Sequence, residues 1–148
     1  MYRWLSWLGS GFHAAHYPFF MPFNYVPDAS LYEKVSEHSA TGIRDALGFL
    51  NRHLSGRRHM FLERPTLLDP YVFTMARWSA ATFDYAADFP AVHAFLERMK
   101  GDGGVRFALD VEKGEGVDRA GDGGAFPGHV DFETAVKAVP TRGHEWSA

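Results

Sequence analysis

Residues 71–83 constrain the fold most strongly: this run of thirteen positions holds a single charged side chain, Arg77. A helix drawn through it is apolar on nearly every side, so it belongs at the centre of a helical body with other elements packed around it. The residues just before it predict how it starts. Thr66-Leu67-Leu68-Asp69 has the spacing of a capping box. In that arrangement the Thr66 hydroxyl accepts the Asp69 backbone N–H, and the Asp69 carboxylate accepts the Thr66 backbone N–H at the positive end of the helix. Losing the threonine oxygen is expected to cost about 1 kcal/mol. On this reading the central helix spans about 66–83. Pro70 then falls at the fourth position after the cap, where its missing N–H removes the first helical hydrogen bond.

The remaining periodicity up to residue 111 is also helical, and no alternating strand pattern of useful length interrupts it. Leu5, Leu8, Phe12 and Ala15 recur at three and four, which predicts a first helix over about 2–17, closed by Pro18. Gly9 and Gly11 weaken it by up to about 1 kcal/mol each relative to Ala, unless a neighbour needs the room. An aromatic loop runs from Pro18 to Pro27. Asp28 or Ser30 can then cap a long helix reaching Leu54, with Leu31, Val35, Ile43, Ala46, Leu47, Leu50 and Leu54 as its inner stripe and Gly56 as its stop. Pro90 opens another helix to about Lys100, with Val92, Phe95, Leu96 and Met99 inside. Val105 to Val111 reads as one more short helix.

Several function classes are excluded by composition. Lys and Arg total 15 against 18 Asp and Glu, a net charge of −3, which is not the basic balance of a nucleic-acid binder. The chain has no cysteine, so it contains no disulfide framework, zinc–thiolate site or cysteine nucleophile. No residue between Arg3 and Asp28 is formally charged, but His13, His16, Asn24 and three prolines interrupt the stretch. It therefore never offers the roughly 20 unbroken apolar residues of a membrane span. A signal peptide starting at Arg3 would lack a small-residue cleavage site, because His13 and His16 flank Ala14-Ala15. No membrane association is expected, and the location expected is cytoplasmic. Near residue 101 the composition changes, beginning with Gly101-Asp102-Gly103-Gly104. Ten of the 15 glycines lie in 101–148, and residues 110–148 carry eight acids against four bases. So little apolar surface predicts a flexible tail over 113–148, with Val130 to Val139 as its one candidate helix.

Three ordered pieces carry a family resemblance. Trp4-Leu5-Ser6-Trp7 through Phe12-His13, with Pro18-Phe19-Phe20 after it, comes first. Thr66-Leu67-Leu68-Asp69-Pro70-Tyr71-Val72-Phe73 follows, ending at Arg77-Trp78. Phe89-Pro90-Ala91-Val92 with Phe95-Leu96-Glu97-Arg98 comes last. Together they resemble the C-terminal helical domain of the glutathione S-transferases, most closely the bacterial beta class, over about residues 2–110. The resemblance implies an all-α bundle over 1–112, followed by the tail. It implies no cofactor other than glutathione as co-substrate, and a hydrophobic electrophile as the second ligand. In that family a separate thioredoxin-like domain binds most of the glutathione and supplies the catalytic Cys, Ser or Tyr. This sequence begins at about the first helix of the second domain and has no βαβ unit. The expected partner is accordingly a thioredoxin-like domain or a second copy in a homodimer, with negligible conjugating activity from this chain alone.

Candidate residues follow from the same resemblance. His13 aligns with a histidine near the glutathione sulfur in the beta class, while Ala14 stands where a Lys is common. Ser6 replaces an Asn that reaches the partner subunit's glutathione. Tyr17, Phe20 and Trp78, with Phe19, Phe23 and Tyr25 nearby in sequence, are candidates for an apolar electrophile site walled by rings. Taken singly, each of them reads first as ordinary core packing. His13 and His16 are three apart, but no third ligand has suitable spacing, so no metal is expected. Arg52, Arg57, Arg58 and Arg64 with His53 and His59 read as a solvated turn. Thr66 and Asp69 read as structural rather than catalytic. A non-catalytic interaction or ligand-binding module is the alternative to a transferase half.

Overall fold

The computed structural model describes residues 2–113, and among them there is no strand. The expectations for the glycine-rich tail, including the helix at Val130 to Val139, lie outside those residues. The chain divides into compact units Met1–Val105 and Arg106–Ala148, of which the first is the helical body.

The body opens with α1 (Tyr2–Ser6), a π-helical segment (Trp7–His13) and α2 (Ala14–Phe20). Ser6 and His13, at the two joints, both keep right-handed helical torsions, so the three pieces run on as one rod. The rod outlasts the expected stop at Pro18 by two residues. Proline keeps a helical φ and removes only one donor, and the Met21 N–H still closes onto the Tyr17 carbonyl at 2.8 Å. The wider π coil lies where Gly9 and Gly11 make the backbone most permissive. An added Cβ at Gly9 would meet only the Tyr71 hydroxyl, at an ordinary 3.6 Å, so no neighbour requires that glycine.

Short 3₁₀ turns at Pro22–Asn24 and Ala29–Leu31 lead into α3 (Tyr32–Leu54), about 34 Å long at 1.5 Å per residue. Asp28 caps the second turn by accepting the Ser30 N–H at 2.9 Å, and hydrogen bonding by the Ser30 side chain, with this backbone bond second, holds its carboxyl below the usual range. Leu31, expected on the inner stripe, is exposed in the turn; burial is complete only from Ile43 onward. Gly56 ends the segment with φ +70°, a left-handed torsion that costs other residues about 1–2 kcal/mol.

The central helix, α4 (Leu68–Ala76), is shorter than the sequence predicts, and a 3₁₀ turn at Arg77–Ser79 takes over where regular helix was expected to continue to Phe83. Successive turn bonds, Ala80 N–H to Arg77 O and Thr82 N–H to Ser79 O, tighten the backbone there. Asp84 then starts the next helix by accepting the Ala87 N–H, which requires the chain to leave the α4 axis. Six of the nine α4 residues are buried, and the helix packs on the π segment and on α6 (Pro90–Met99), after the single turn α5 (Tyr85–Asp88). Leu8, Phe12, Ile43, Leu47, Leu50, Met60, Val72, Val92 and Phe95 form the fully buried core around it. No side chain of its own caps α6. Instead Asn51, from α3, accepts the Ala91 and Val92 N–H groups at 2.8 and 3.2 Å. The last helix, α7 (Gly103–Glu112), starts at Asp102, whose carboxylate accepts the Gly104 and Val105 N–H groups.

Candidate functional site

Both ends of α4 carry a buried polar group, and the two ends have different chemistry. At the N-terminal end the Asp69 carboxylate is fully buried and accepts four hydrogen bonds. One oxygen takes the Thr66 N–H at 2.8 Å and the Thr66 hydroxyl at 3.0 Å. The other takes the Met60 N–H at 3.0 Å and His59 Nδ1 at 3.3 Å. The expected carboxylate arm of the capping box is present. The hydroxyl arm is different, because Thr66 donates to Asp69 and accepts from the Leu68 N–H at 3.3 Å instead of the Asp69 N–H. With the helix starting at Leu68, Pro70 occupies the first turn, where no helical donor is needed. The basic loop is also more than a solvated turn. Its arginines are exposed, yet His53 donates to the Met60 carbonyl at 2.7 Å, and Arg98 of α6 donates to the Arg58 carbonyl at 2.8 Å. Beside it opens a cavity of about 720 Å³ that includes Arg58, Leu67, Pro70 and Met99 in its lining.

At the C-terminal end of α4 the chain gathers rings. His13 lies 4.9 Å from Tyr17 and 5.2 Å from Trp78, centroid to centroid. His16 meets Trp78 edge-on at 5.5 Å and stacks on Phe20 at 6.0 Å. Tyr17, Phe20 and Trp78 each remain about 40% exposed or more, so they form an open face rather than part of the core. The rod supplies four of these rings and the turn after α4 supplies the fifth. Phe19 packs on Phe20, and Phe23 and Tyr25 are exposed farther along, outside these ring contacts among the described residues. Ser6 is exposed on α1, its carbonyl accepting the Ser10 hydroxyl, with no contact to this face among the described residues.

The polar group beneath the rings is His16, which is 1% exposed. Its Nδ1 lies 2.8 Å from the Phe12 carbonyl and its Nε2 lies 3.3 Å from the Ser79 hydroxyl, itself buried and 3.0 Å from the Tyr85 hydroxyl. The Tyr85 hydroxyl donates in turn to the Ala76 carbonyl. Burial lowers the His16 pKa from its ordinary 6.5 and outweighs the carbonyl contact, while the neighbouring His13 adds to the lowering. Burial likewise pushes the Tyr85 phenol up to about 12. With both His16 nitrogens engaged, the ring is not free to hold a metal. Among the described residues no three His, Cys, Asp or Glu side chains gather as a metal site requires. No described helix is long and apolar enough to cross a membrane.

Residues 33–98 match the family model described as "Glutathione S-transferase, C-terminal domain". The chain is 27% identical over 110 residues to a protein named glutathione S-transferase GST-4.5 from Xanthomonas campestris pv. campestris. That alignment takes in 74% of this chain and 54% of the relative, so the chain spans about half of that protein's length. The fold is shared with a glutathione S-transferase from Xylella fastidiosa, at a TM-score of 0.67 and 24% identity, over 75% of this chain and 54% of the other.

Proposed function

With the helical body a C-terminal domain of the glutathione S-transferase family, we propose that its ring-lined face is the electrophile-binding half of a transferase. The observation that supports this most is the meeting of His13, Tyr17 and Trp78, which lie up to 65 positions apart in sequence, on one half-exposed surface. Flat hydrophobic electrophiles suit such a surface, because aromatic walls bind by area and stacking and need little directional polar readout. His13, at the edge of the face, offers an imidazole to the sulfur of glutathione. In conjugation the thiolate forms a carbon–sulfur bond and the electrophile's leaving group departs with the bonding pair. Most of the rate gain comes from holding the thiolate in its charged form and close to the electrophile. The thiolate-stabilising groups belong to a thioredoxin-like domain, as a separate chain or as part of a longer one, in a cytoplasmic detoxifying enzyme that is a homodimer.

The test is complementation. The 148-residue chain alone is expected to leave glutathione and chlorodinitrobenzene unreacted above the uncatalysed rate. Addition of a thioredoxin-like domain of this family should give turnover that falls on Trp78→Ala and His13→Ala. Turnover by the isolated chain that is abolished by His13→Ala would overturn the division of labour.

The exposure of Tyr17, Phe20 and Trp78 also favours a second reading, a non-catalytic docking module whose rings are covered by a protein partner. A stable complex that forms without glutathione, breaks on Trp78→Ala and never conjugates would select it.

A further inference from the structure

We propose that His16, acting through Ser79, is a positioning residue that fixes the Trp78 ring at the wall of the aromatic face and so determines the shape of ligand the face accepts. This rests on the proposed reading of that face as a ligand surface. The Phe12 carbonyl can only accept, so at 2.8 Å the His16 Nδ1 must carry the hydrogen, and the neutral ring presents a bare Nε2. Ser79, 3.3 Å from that nitrogen, then has to spend its one proton on it. Tyr85 remains a phenol at neutral pH and donates to the Ala76 carbonyl, with its oxygen 3.0 Å from Ser79 Oγ. Both hydroxyl protons are then spent, so no hydrogen lies between Ser79 and Tyr85, and it is the bond to neutral His16 that holds the Ser79 side chain.

Position gives this network its consequence. Ser79 directly follows Trp78 in the 3₁₀ turn, and it is fully buried while Trp78 is exposed. Anchoring the Ser79 side chain from the rod 63 residues away fixes the turn that carries the indole. The same His16 ring supplies the edge-on contact at 5.5 Å that forms the floor under Trp78 and the stacked contact under Phe20. One buried imidazole thus ties two rings of the candidate ligand face, Phe20 and Trp78, to a single reference point. An apolar ring at position 16 would keep the packing and lose the tie.

The experiment uses the whole chain labelled with 5-fluorotryptophan, with the Trp78 fluorine signal assigned by Trp78→Phe, and 8-anilinonaphthalene-1-sulfonate as probe. Ser79→Ala is expected to shift or broaden the Trp78 signal and to weaken probe binding roughly threefold to tenfold, the scale of one lost hydrogen bond. Tyr85→Phe removes a buried bond as well but leaves the His16–Ser79 link intact, so it should leave the Trp78 signal near its wild-type position. Equal movement in both variants, or none in Ser79→Ala, overturns the proposal. Nitrogen NMR of the wild-type imidazoles decides independently of any variant's folding: Nδ1 protonated with Nε2 bare supports it, and the opposite tautomer overturns it. A wild-type Trp78 signal that ignores the probe would remove the ligand reading alone, and the variant signals would still decide the positioning.

Discussion

The two ends of α4 solve the problem of a buried polar group in opposite ways. At the Asp69 end a full negative charge is buried and four donors converge on it, all of them from Thr66, His59 and Met60 within ten positions. At the Trp78 end the buried group is an imidazole kept neutral, and one of its two partners, Ser79, comes from 63 positions away. A buried charge held by many short-range donors makes a rigid clasp whose loss is expensive. A neutral imidazole and its hydroxyl partner are worth less in stability, yet they tie the turn after α4 to a rod far away in sequence.

The contrast can be broken most directly at Asp69. Asp69→Ala should cost about 3–5 kcal/mol, because it leaves the Thr66 and Met60 N–H groups and His59 without their acceptor, and a urea unfolding midpoint would register it. A loss below about 1 kcal/mol would place the clasp on the same footing as the other end. Asn51→Ala sharpens the comparison by testing a cap that is, like the His16 network, distant in sequence but neutral. It should cost about 1–2 kcal/mol through two uncapped N–H groups of α6, again read from the urea midpoint. Tyr85→Phe should cost about 1 kcal/mol by thermal unfolding, leaving the Ala76 carbonyl without its donor.

The smallest effect expected is one of pH. Because the folded His16 pKa lies below the unfolded value of 6.5, the unfolded chain takes the proton more readily. Stability is therefore fully present above pH 6.5 and declines as pH falls from there through the lower folded value. The groups facing the ring are His13 on its own rod, with Ser79 and the Tyr85 phenol opposite, so no carboxylate among those described reverses the sign. Urea midpoints between pH 7.5 and 5 should fall less steeply in His16→Gln than in the wild type.

The same contrast explains what could be read from the sequence. The all-helical body, the family resemblance and the Thr66–Asp69 pair were legible, because a 3.6-residue period and an i, i+3 spacing are local signals. The hydroxyl arm of that pair was misjudged, since sequence spacing does not show which acceptor a rotating O–H will choose. The end of α4 at Ala76 was also missed: an apolar run marks burial, and burial continues through a 3₁₀ turn as readily as through a helix. His13, Tyr17 and Trp78 were named through resemblance, and the structure adds their juxtaposition. His16 was considered only as half of a metal pair, while Ser79, Tyr85 and Asn51 drew no notice. Nothing within a few residues of any of them signals a partner 6, 40 or 63 positions away.

The π segment at Trp7–His13 has one more consequence. A π-helical coil takes one more peptide unit per turn than its neighbours, so it absorbs a residue without changing the phase of the rod. It preserves the rotational offset between Trp4, packed against His53 and Phe49, and the His13–Tyr17 edge at the far end. Deleting a single residue there would let the segment rewind as α-helix with both sets of rings still facing their neighbours, whereas winding all seven residues as α-helix would turn one set away by about 100°, the step of one residue in a regular helix.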